Sequence, residues 1–220
     1  MPSPAAGAIS LPWCEDPYAV ALRSGSGPLY LRRPDGSRLP LDIERWCARA
    51  DAADRTVLRR CIGPVLDIGC GPGRIVAELA RAGSAVLGID PSPAAVVRTR
   101  SLGGAALLRS VFDPLPGEGL WRSALLMDGN IGLGGDPVML LARVQELLAP
   151  GGVLVAEAAC AEVEEEVEVC LENGAGGRSS PFPWARLGPA AMRRRAERAG
   201  WTVTGQWKAS GRPFLTLTSR

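Results

Sequence analysis

A glycine-rich turn between a predicted strand and a predicted helix constrains the fold of this chain more than any other feature. Residues 65–68 form a short apolar run with one acid in it, as is typical of a buried strand in a parallel sheet. Three glycines on alternate positions follow, and residues 75–80 then predict a helix. Because glycine has no side chain and tolerates φ > 0, such a turn can bring bare backbone against a ligand. The free N–H groups at the helix start favour an anionic group there.

The spacing of the glycines distinguishes two kinds of nucleotide site. A dinucleotide-binding turn reads Gly-x-Gly-x-x-Gly, and its third glycine would fall on position 74, which is an arginine. The sequence Asp67-x-Gly69-x-Gly71-x-Gly73 instead resembles the first motif of the class I S-adenosylmethionine (SAM)-dependent methyltransferases. The resemblance implies that this loop wraps the methionine end of SAM, and that the motif residues and Cys70 bind the cofactor. A glycine-rich turn without a ligand is the alternative interpretation.

Strands and helices alternate along the chain from Val65 onward, which favours a parallel sheet with right-handed crossovers. The resemblance implies an α/β, Rossmann-like fold with a seven-stranded, mostly parallel sheet of order 3-2-1-4-5-7-6, whose last strand is antiparallel. The predicted strands are residues 65–68, 85–90, 105–108, 123–128, 153–157, 201–207 and 213–218.

Two segments lie outside this alternation. Residues 162–187 predict a hairpin inserted after the fifth strand, and the N-terminus predicts a helix from Asp16 followed by a small hairpin. We therefore divide the chain into an N-terminal cap or lid, residues 1–54, and a SAM-binding methyltransferase domain, residues 55–220. A methyl donor must be shielded from water, so residues 11–50 of the cap are expected to form a lid over the carboxyl edge of the sheet, with Tyr18 or Trp46 near the cofactor.

Asp90 ends the second predicted strand, where an acid can accept hydrogen bonds from both ribose hydroxyls. It could also be no more than a neighbour of the next helix's N-cap. Asp90-Pro91-Ser92 resembles the second methyltransferase motif, in which the residue after the acid lies against the adenine. After the third strand, the resemblance implies that Asp113 binds the adenine amino group, although a surface turn explains this acid equally well. Phe112 could pack on the adenine or enter the core.

Asp128 and Asn130 follow the fourth predicted strand, at the edge where ligands bind open α/β sheets. Four glycines between positions 129 and 135 leave room for a ligand. The resemblance places residues that face the transferred methyl group here, so Asp128 and Asn130 are the candidate catalytic residues. Asp128 could steady the sulfonium, accept a proton from the acceptor, or simply cap the following turn.

The composition excludes several other classes of function. The net charge of +2, from 25 basic and 23 acidic residues, is too balanced to indicate a nucleic-acid partner. No apolar run approaches the ~20 residues that span a bilayer, and the N-terminus does not resemble a signal peptide, so we expect a cytoplasmic protein without a membrane partner. The chain has no histidine and six scattered cysteines, which predicts no metal site.

These observations predict a SAM-dependent methyltransferase that acts on a small-molecule acceptor. The sulfonium methyl is already activated, so the protein mainly has to hold an acceptor atom in line with it. The absence of histidine removes the commonest general base and favours an acceptor that is a good nucleophile by itself, such as an amine, a thiol or a stabilised carbanion. The alternatives are a non-catalytic binding protein with the same fold and an NAD-dependent oxidoreductase.

Overall fold

The computed structural model describes Trp13 and residues 16–219, and residues 16–219 contain seven α-helices, a short 3₁₀ helix (Asn130–Gly132) and eleven strands. The helices are α1 (Asp16–Ser24), α2 (Ile43–Cys47), α3 (Ala52–Leu58), α4 (Arg74–Arg81), α5 (Pro93–Ser101), α6 (Pro137–Leu147) and α7 (Pro189–Arg198). The strands are β1 (Leu29–Arg32), β2 (Arg38–Leu41), β3 (Val65–Ile68), β4 (Val86–Asp90), β5 (Ala106–Leu108), β6 (Trp121–Leu126), β7 (Leu148–Glu157), β8 (Glu164–Asn173), β9 (Phe182–Leu187), β10 (Trp201–Ala209) and β11 (Arg212–Ser219).

Seven strands form the main sheet, in the spatial order β5-β4-β3-β6-β7-β11-β10. Strands β3 to β7 run parallel to one another, and β11 is antiparallel to both of its neighbours. When the seven strands are counted along the chain, this is the predicted order 3-2-1-4-5-7-6 with an antiparallel last strand. The predicted Rossmann-like α/β fold is therefore confirmed.

The alternation of side chains along the central strands explains why both faces of this sheet are covered. Leu66 and Leu126 pack into a core that also contains residues of α6 and α7, whereas Val65 and Leu125 pack on the opposite face with residues of α3 and α4. Strands buried on both faces read as continuous apolar runs, which is the pattern that predicted them from the sequence.

A second sheet joins two parts of the chain that the sequence analysis treated separately. Strand β1 pairs with β2 and also with β8, so the N-terminal hairpin and the inserted hairpin form one four-stranded sheet of order β2-β1-β8-β9. Leu31 lies opposite Leu171, and both are buried in a core shared with α1. The cover over the main sheet is thus built from both hairpins, whereas the predicted boundary at residue 54 assigns only the first of them to the cap.

The end of β6 and the start of β7 differ from the prediction. Strand β6 ends at Leu126, so Asp128 lies beyond the strand with a left-handed φ of 57°. Strand β7 begins at Leu148, before the predicted Val153, because the chain keeps pairing with β6 across a register shift. The fourth strand thus delivers Asp128 to the loop region at the edge of the sheet.

Replacement of Leu171 by alanine tests the shared core of the two hairpins. Leu171 is fully buried, so Leu171→Ala is expected to lower the free energy of unfolding by roughly 2–5 kcal/mol. Glu168 on the same strand is exposed, so Glu168→Ala is expected to change the free energy of unfolding by less than about 0.5 kcal/mol. Urea unfolding of the two variants measures this difference. Equal effects would show that the second sheet contributes little to stability.

Candidate functional site

A cavity of about 350 Å³ lies at the carboxyl ends of β3, β4 and β6, beneath residues of both hairpins and α1. Its wall contains eight of the eleven residues that the sequence predicted for the site, which are Gly69, Cys70, Gly71, Asp90, Pro91, Phe112, Asp128 and Asn130. Asp67, Gly73 and Asp113 are not in the wall. Tyr18 and Trp46, from the N-terminal segment, also line it.

All three glycines of the loop have left-handed φ angles, but the space available for a side chain differs among them. A Cβ on Gly69 would lie 2.5 Å from the side-chain nitrogen of Asn130, and one on Gly73 would clash with Thr99. A Cβ on Gly71 would meet only the hydroxyl of Tyr18, at 3.4 Å. Gly69 and Gly73 therefore have no room for a side chain, and Gly71 is the glycine of the cavity wall that has open space beside its α-carbon.

Asp90 holds the glycine loop in place from the end of β4. One carboxylate oxygen accepts a hydrogen bond from the backbone N–H of Gly71 at 2.9 Å, and the other accepts one from Ser92 N–H at 2.8 Å. The side chain is buried, and this burial raises the pKa of Asp90 to about 6, although both hydrogen bonds act in the opposite direction. The carboxyl thus lies at the cavity wall and binds the backbone of Ser92, the N-cap residue of α5.

Asn130 is a second clamp on the same loop. Its side-chain N–H₂ group donates to the carbonyl oxygens of Ile68 and Gly69, both at 2.9 Å. This contact explains why position 69 has no space for a side chain. Asn130 therefore positions the turn that follows β3.

The segment after β5 contributes to the cavity differently from the prediction for its acid. Phe112 lines the cavity and is 41% exposed. The carboxylate of Asp113 is exposed and accepts a hydrogen bond from the backbone N–H of Ser110 at 2.8 Å. Asp113 thus shapes the loop that carries Ser110 and Phe112, both of which line the cavity.

Asp128 is held by three guanidinium groups. Arg74 donates to both of its oxygens at 2.6 and 3.0 Å, Arg45 lies 2.8 Å from one of them, and Arg212 lies 3.5 Å from it. Burial would raise the pKa of this carboxyl, but the arginines outweigh burial and lower it, Arg74 first and Arg45 next. A carboxylate paired in this way is a weak proton acceptor.

The ion pairs continue away from the cavity into the core. Arg74 also binds Asp54 at 2.9 Å, and Arg212 connects Asp54, at 2.9 Å, with Glu157, at 2.6 Å. Glu157 also accepts a hydrogen bond from the backbone N–H of Asp128, at 2.9 Å. We call Arg45, Asp54, Arg74, Asp128, Glu157 and Arg212 the ion-pair cluster. All of its side chains except Arg45 and Asp128 are at most 10% exposed.

The sequence analysis did not identify this cluster. From the sequence, Arg74 was considered only as the residue that breaks the dinucleotide pattern. A basic residue directly after the glycine loop, where the helix start is itself electropositive, was the available signal that a buried acid must lie nearby. The partners at positions 54, 128, 157 and 212 come from four distant segments, so the sequence could not supply their identity.

Four aromatic rings close the cavity on the side of the second sheet. Trp13 lies at the centre, with its ring 5.1 Å from Tyr18, 5.4 Å from Phe182 and 5.6 Å from Trp184. Phe182 and Trp184 are 6.2 Å apart and nearly perpendicular. Burial raises the pKa of Tyr18, and Asp90 adds to that rise, so the phenol stays protonated at neutral pH.

Two further findings concern membranes and metals. Within residues 16–219, no helix has both the length and the apolar character needed to cross a membrane. Among the described side chains, no group of three histidine, cysteine or acidic residues is arranged to hold a metal ion.

Comparison with known proteins gives three kinds of match. Residues 65–152 match a family model described as a methyltransferase domain. The ubiquinone biosynthesis O-methyltransferase of Azorhizobium caulinodans is 30% identical over 96 residues, which cover 41% of this chain and 38% of that protein. The match thus spans about two fifths of the length of this curated relative.

Two solved structures extend the match over nearly the whole chain. A SAM-dependent methyltransferase from Bacteroides fragilis, in complex with S-adenosyl-L-homocysteine, has a TM-score of 0.78 at 19% identity and covers 95% of this chain and 97% of its own. The 1,6-didemethyltoxoflavin-N1-methyltransferase of Burkholderia thailandensis has a TM-score of 0.60 at 19% identity, and the match covers 99% of this chain and 94% of that one. At these identities the likeness establishes the fold.

The buried carboxyl of Asp67 gives a pH-dependent prediction. Burial raises its pKa from 3.8 to about 7, with Arg74 acting in the opposite direction. Between these values the folded protein keeps a proton that the unfolded chain has released, so the free energy of unfolding falls as pH rises. Asp67→Asn stays neutral, and its stability relative to wild type is expected to grow from about pH 4 and level off above about pH 7.

Chemical unfolding across this pH range measures the Asp67 effect. The exposed Asp113→Asn variant removes one charge at the surface and serves as the control. A stability difference between Asp67→Asn and wild type that does not change with pH would contradict the assignment.

Proposed function

We propose that this chain, whose residues 65–152 match a methyltransferase-domain family model, transfers the methyl group of SAM to a small-molecule acceptor. The observation that carries the proposal is the bare backbone of Gly71 at the cavity wall, next to the buried carboxyl of Asp90. This pair lies at the carboxyl ends of parallel strands, where open α/β sheets bind their ligands.

The residues of the cavity fit SAM by chemistry and by space. The uncrowded face of Gly71 leaves room for the methionine end, and the carboxylate of Asp90 can accept hydrogen bonds from ribose hydroxyls. Pro91 and Phe112 offer apolar surface for the adenine. SAM supplies a methyl group that its sulfonium has already activated. We assign Asp113 an indirect contribution, through the loop that carries Phe112.

Asp128 has a positioning role in this proposal. Its carboxylate is paired with arginines and its pKa is lowered, so it favours a nearby positive charge better than it accepts a proton. Asn130 keeps the loop after β3 in the conformation that exposes Gly71. The candidate catalytic pair of the sequence analysis therefore acts by holding groups in place.

The N-terminal segment is proposed to exclude water from the reaction. Tyr18, Trp46 and Trp13 line the cavity from this segment, and the inserted hairpin adds Phe182 and Trp184. The predicted lid of residues 11–50 is thus supported by these contacts, although residues 11, 12, 14 and 15 lie outside those described. A small-molecule acceptor fits a concave, largely apolar cavity of this kind, and the predicted cytoplasmic location is part of the same proposal.

Transfer of labelled methyl from SAM is the test of the proposed activity. Purified protein incubated with methyl-labelled SAM and pooled small-molecule metabolites is expected to produce labelled product and S-adenosylhomocysteine. Tight SAM binding without any transfer would favour the alternative of a binding protein with the methyltransferase fold.

Gly71→Val tests whether the loop backbone contacts the cofactor. The side chain would project into the cavity towards Tyr18, so binding of S-adenosylhomocysteine is expected to be abolished. Gly83→Val is the matched control, because Gly83 also has a left-handed φ, of 74°, and has nothing within 4 Å of an added Cβ. Calorimetry on both folded variants decides the question. Wild-type affinity in Gly71→Val would overturn the assignment of this loop.

Asp90→Ala tests the proposed contact with the ribose. Loss of a charge-assisted hydrogen bond is expected to weaken SAM binding by roughly 1.5–3 kcal/mol. Asp136→Ala is the control, because Asp136 also accepts two backbone N–H bonds, at the start of α6, and is not in the cavity wall. If the dissociation constant for SAM is the same in Asp90→Ala as in wild type, Asp90 serves only to hold the backbone of Gly71 and Ser92.

A further inference from the structure

The side of the cavity beneath the second sheet has an aromatic lining. We call Trp13, Tyr18, Phe182 and Trp184 the aromatic cage. Its ring centroids are 5.1–6.2 Å apart, with interplanar angles between 51° and 86°. Rings at these separations and angles contact one another, and together they form one aromatic wall of the cavity, against which a flat aromatic molecule can pack.

The described charges around the cavity are unsuited to an anionic acceptor. Asp90, Arg109 and Asp128 are the charged side chains of the wall. Arg109 is exposed, and its guanidinium donates to the carbonyl oxygen of Leu108, outside the cage. The guanidinium groups next to Asp128 are each paired with carboxylates. Among the described residues, the cage has no free cation that could bind a carboxylate or a phosphate.

Proton acceptors are also poorly supplied. The chain has no histidine, and Asp90 accepts two backbone N–H bonds and is assigned to the ribose of SAM in the proposed function. Asp128 is ion-paired, and Asp67 is not in the wall. Phenols and alkylamines, with pKa values of about 10 in their side-chain counterparts, are protonated at neutral pH and would need a base. An aromatic ring nitrogen of the imidazole or pyridine type carries a free lone pair under the same conditions.

We propose that the methyl acceptor is a planar, uncharged aromatic heterocycle, held by the aromatic cage, whose ring nitrogen takes the methyl group. The proposal rests on the proposed methyltransferase function. The nitrogen lone pair forms the new N–C bond, and the electrons of the breaking C–S bond remain on sulfur. A cationic N-methyl ring and a neutral thioether result, and no proton moves.

The cage also suits the change in charge during this step. Positive charge passes from the sulfonium to the heterocycle as the methyl group is transferred. The faces of aromatic rings attract cations, tryptophan most strongly. The rings of Trp13 and Trp184 are therefore positioned to stabilise the charge that develops on the acceptor.

Binding of isoquinoline tests the shape and charge that the cage selects. Wild-type protein saturated with S-adenosylhomocysteine is titrated calorimetrically with isoquinoline, 1-naphthoate and cyclohexylamine. Isoquinoline is expected to bind at least roughly tenfold more tightly than either other probe, because it alone is both flat and uncharged. Binding of 1-naphthoate with equal or higher affinity would overturn the proposal.

Ring-removal variants locate the bound probe. Phe182→Leu and Trp13→Leu are each expected to weaken isoquinoline binding by roughly three- to tenfold. Tyr30→Leu is the matched control, because Tyr30 belongs to the same sheet but is not in the cavity wall. Trp13 is only partly buried, so its variant keeps the test decisive if Phe182→Leu fails to fold. Affinities equal to the control in both variants would contradict the proposal.

Methyl incorporation tests the choice of nitrogen. Isoquinoline, 1-naphthol and cyclohexylamine are incubated separately with the protein and methyl-labelled SAM, and the products are identified by mass spectrometry. The highest incorporation is expected in isoquinoline, and preference for another probe, or incorporation into none, would overturn the assignment. Because S-adenosylhomocysteine binding is measured first, its absence would instead overturn the proposed function on which this inference rests.

Discussion

The buried ion pairs of Arg74 hold together the end of the sheet where the cavity lies. Arg74 begins α4, directly after the glycine loop, and binds Asp54 of α3 and Asp128 beyond β6 at the same time. Removing such charges from water is costly, and the cost is offset only when each guanidinium finds well-placed carboxylates. Loss of one partner of a buried pair typically costs roughly 3–5 kcal/mol. The conformation of the loop therefore depends on a charge balance that extends well beyond the cavity.

The same cluster connects the core to the cover of the cavity. Arg45 comes from α2, in the N-terminal segment, and reaches the carboxylate of Asp128 at 2.8 Å. Glu157 holds the backbone of Asp128, which has a left-handed φ that non-glycine residues adopt rarely. Strain at a ligand-facing residue is maintained by its surroundings when it serves positioning. Asp128 is accordingly interpreted as a fixed part of the cavity rather than as a proton acceptor.

Much of the core could be predicted from the sequence because its signals are local. Apolar runs that are followed by Gly69 or that end at Asp90 mark strand ends, and the ends of parallel strands meet at one edge of a sheet. The different roles of the glycines could not be predicted, since they depend on Asn130 and Thr99, which lie far along the chain. The adenine contact predicted for Asp113 came from resemblance, whereas its carboxylate binds Ser110.

The remaining features depend on long-range pairing. Strand β1 pairs with β8 across more than a hundred intervening residues, and no local pattern specifies which hairpin edge another hairpin will join. The aromatic cage depends on this pairing, because β9 supplies Phe182 and Trp184 while the N-terminal segment supplies Trp13 and Tyr18. The acceptor side of the cavity is therefore the part that the sequence alone could least describe.

The most direct test of this account is a calorimetric titration of the wild-type protein with S-adenosylhomocysteine and, separately, with NADH. We expect saturable binding of S-adenosylhomocysteine at one site per chain and no measurable binding of NADH, because Arg74 occupies the position at which a dinucleotide turn needs its third glycine. Binding of NADH without binding of S-adenosylhomocysteine would contradict it.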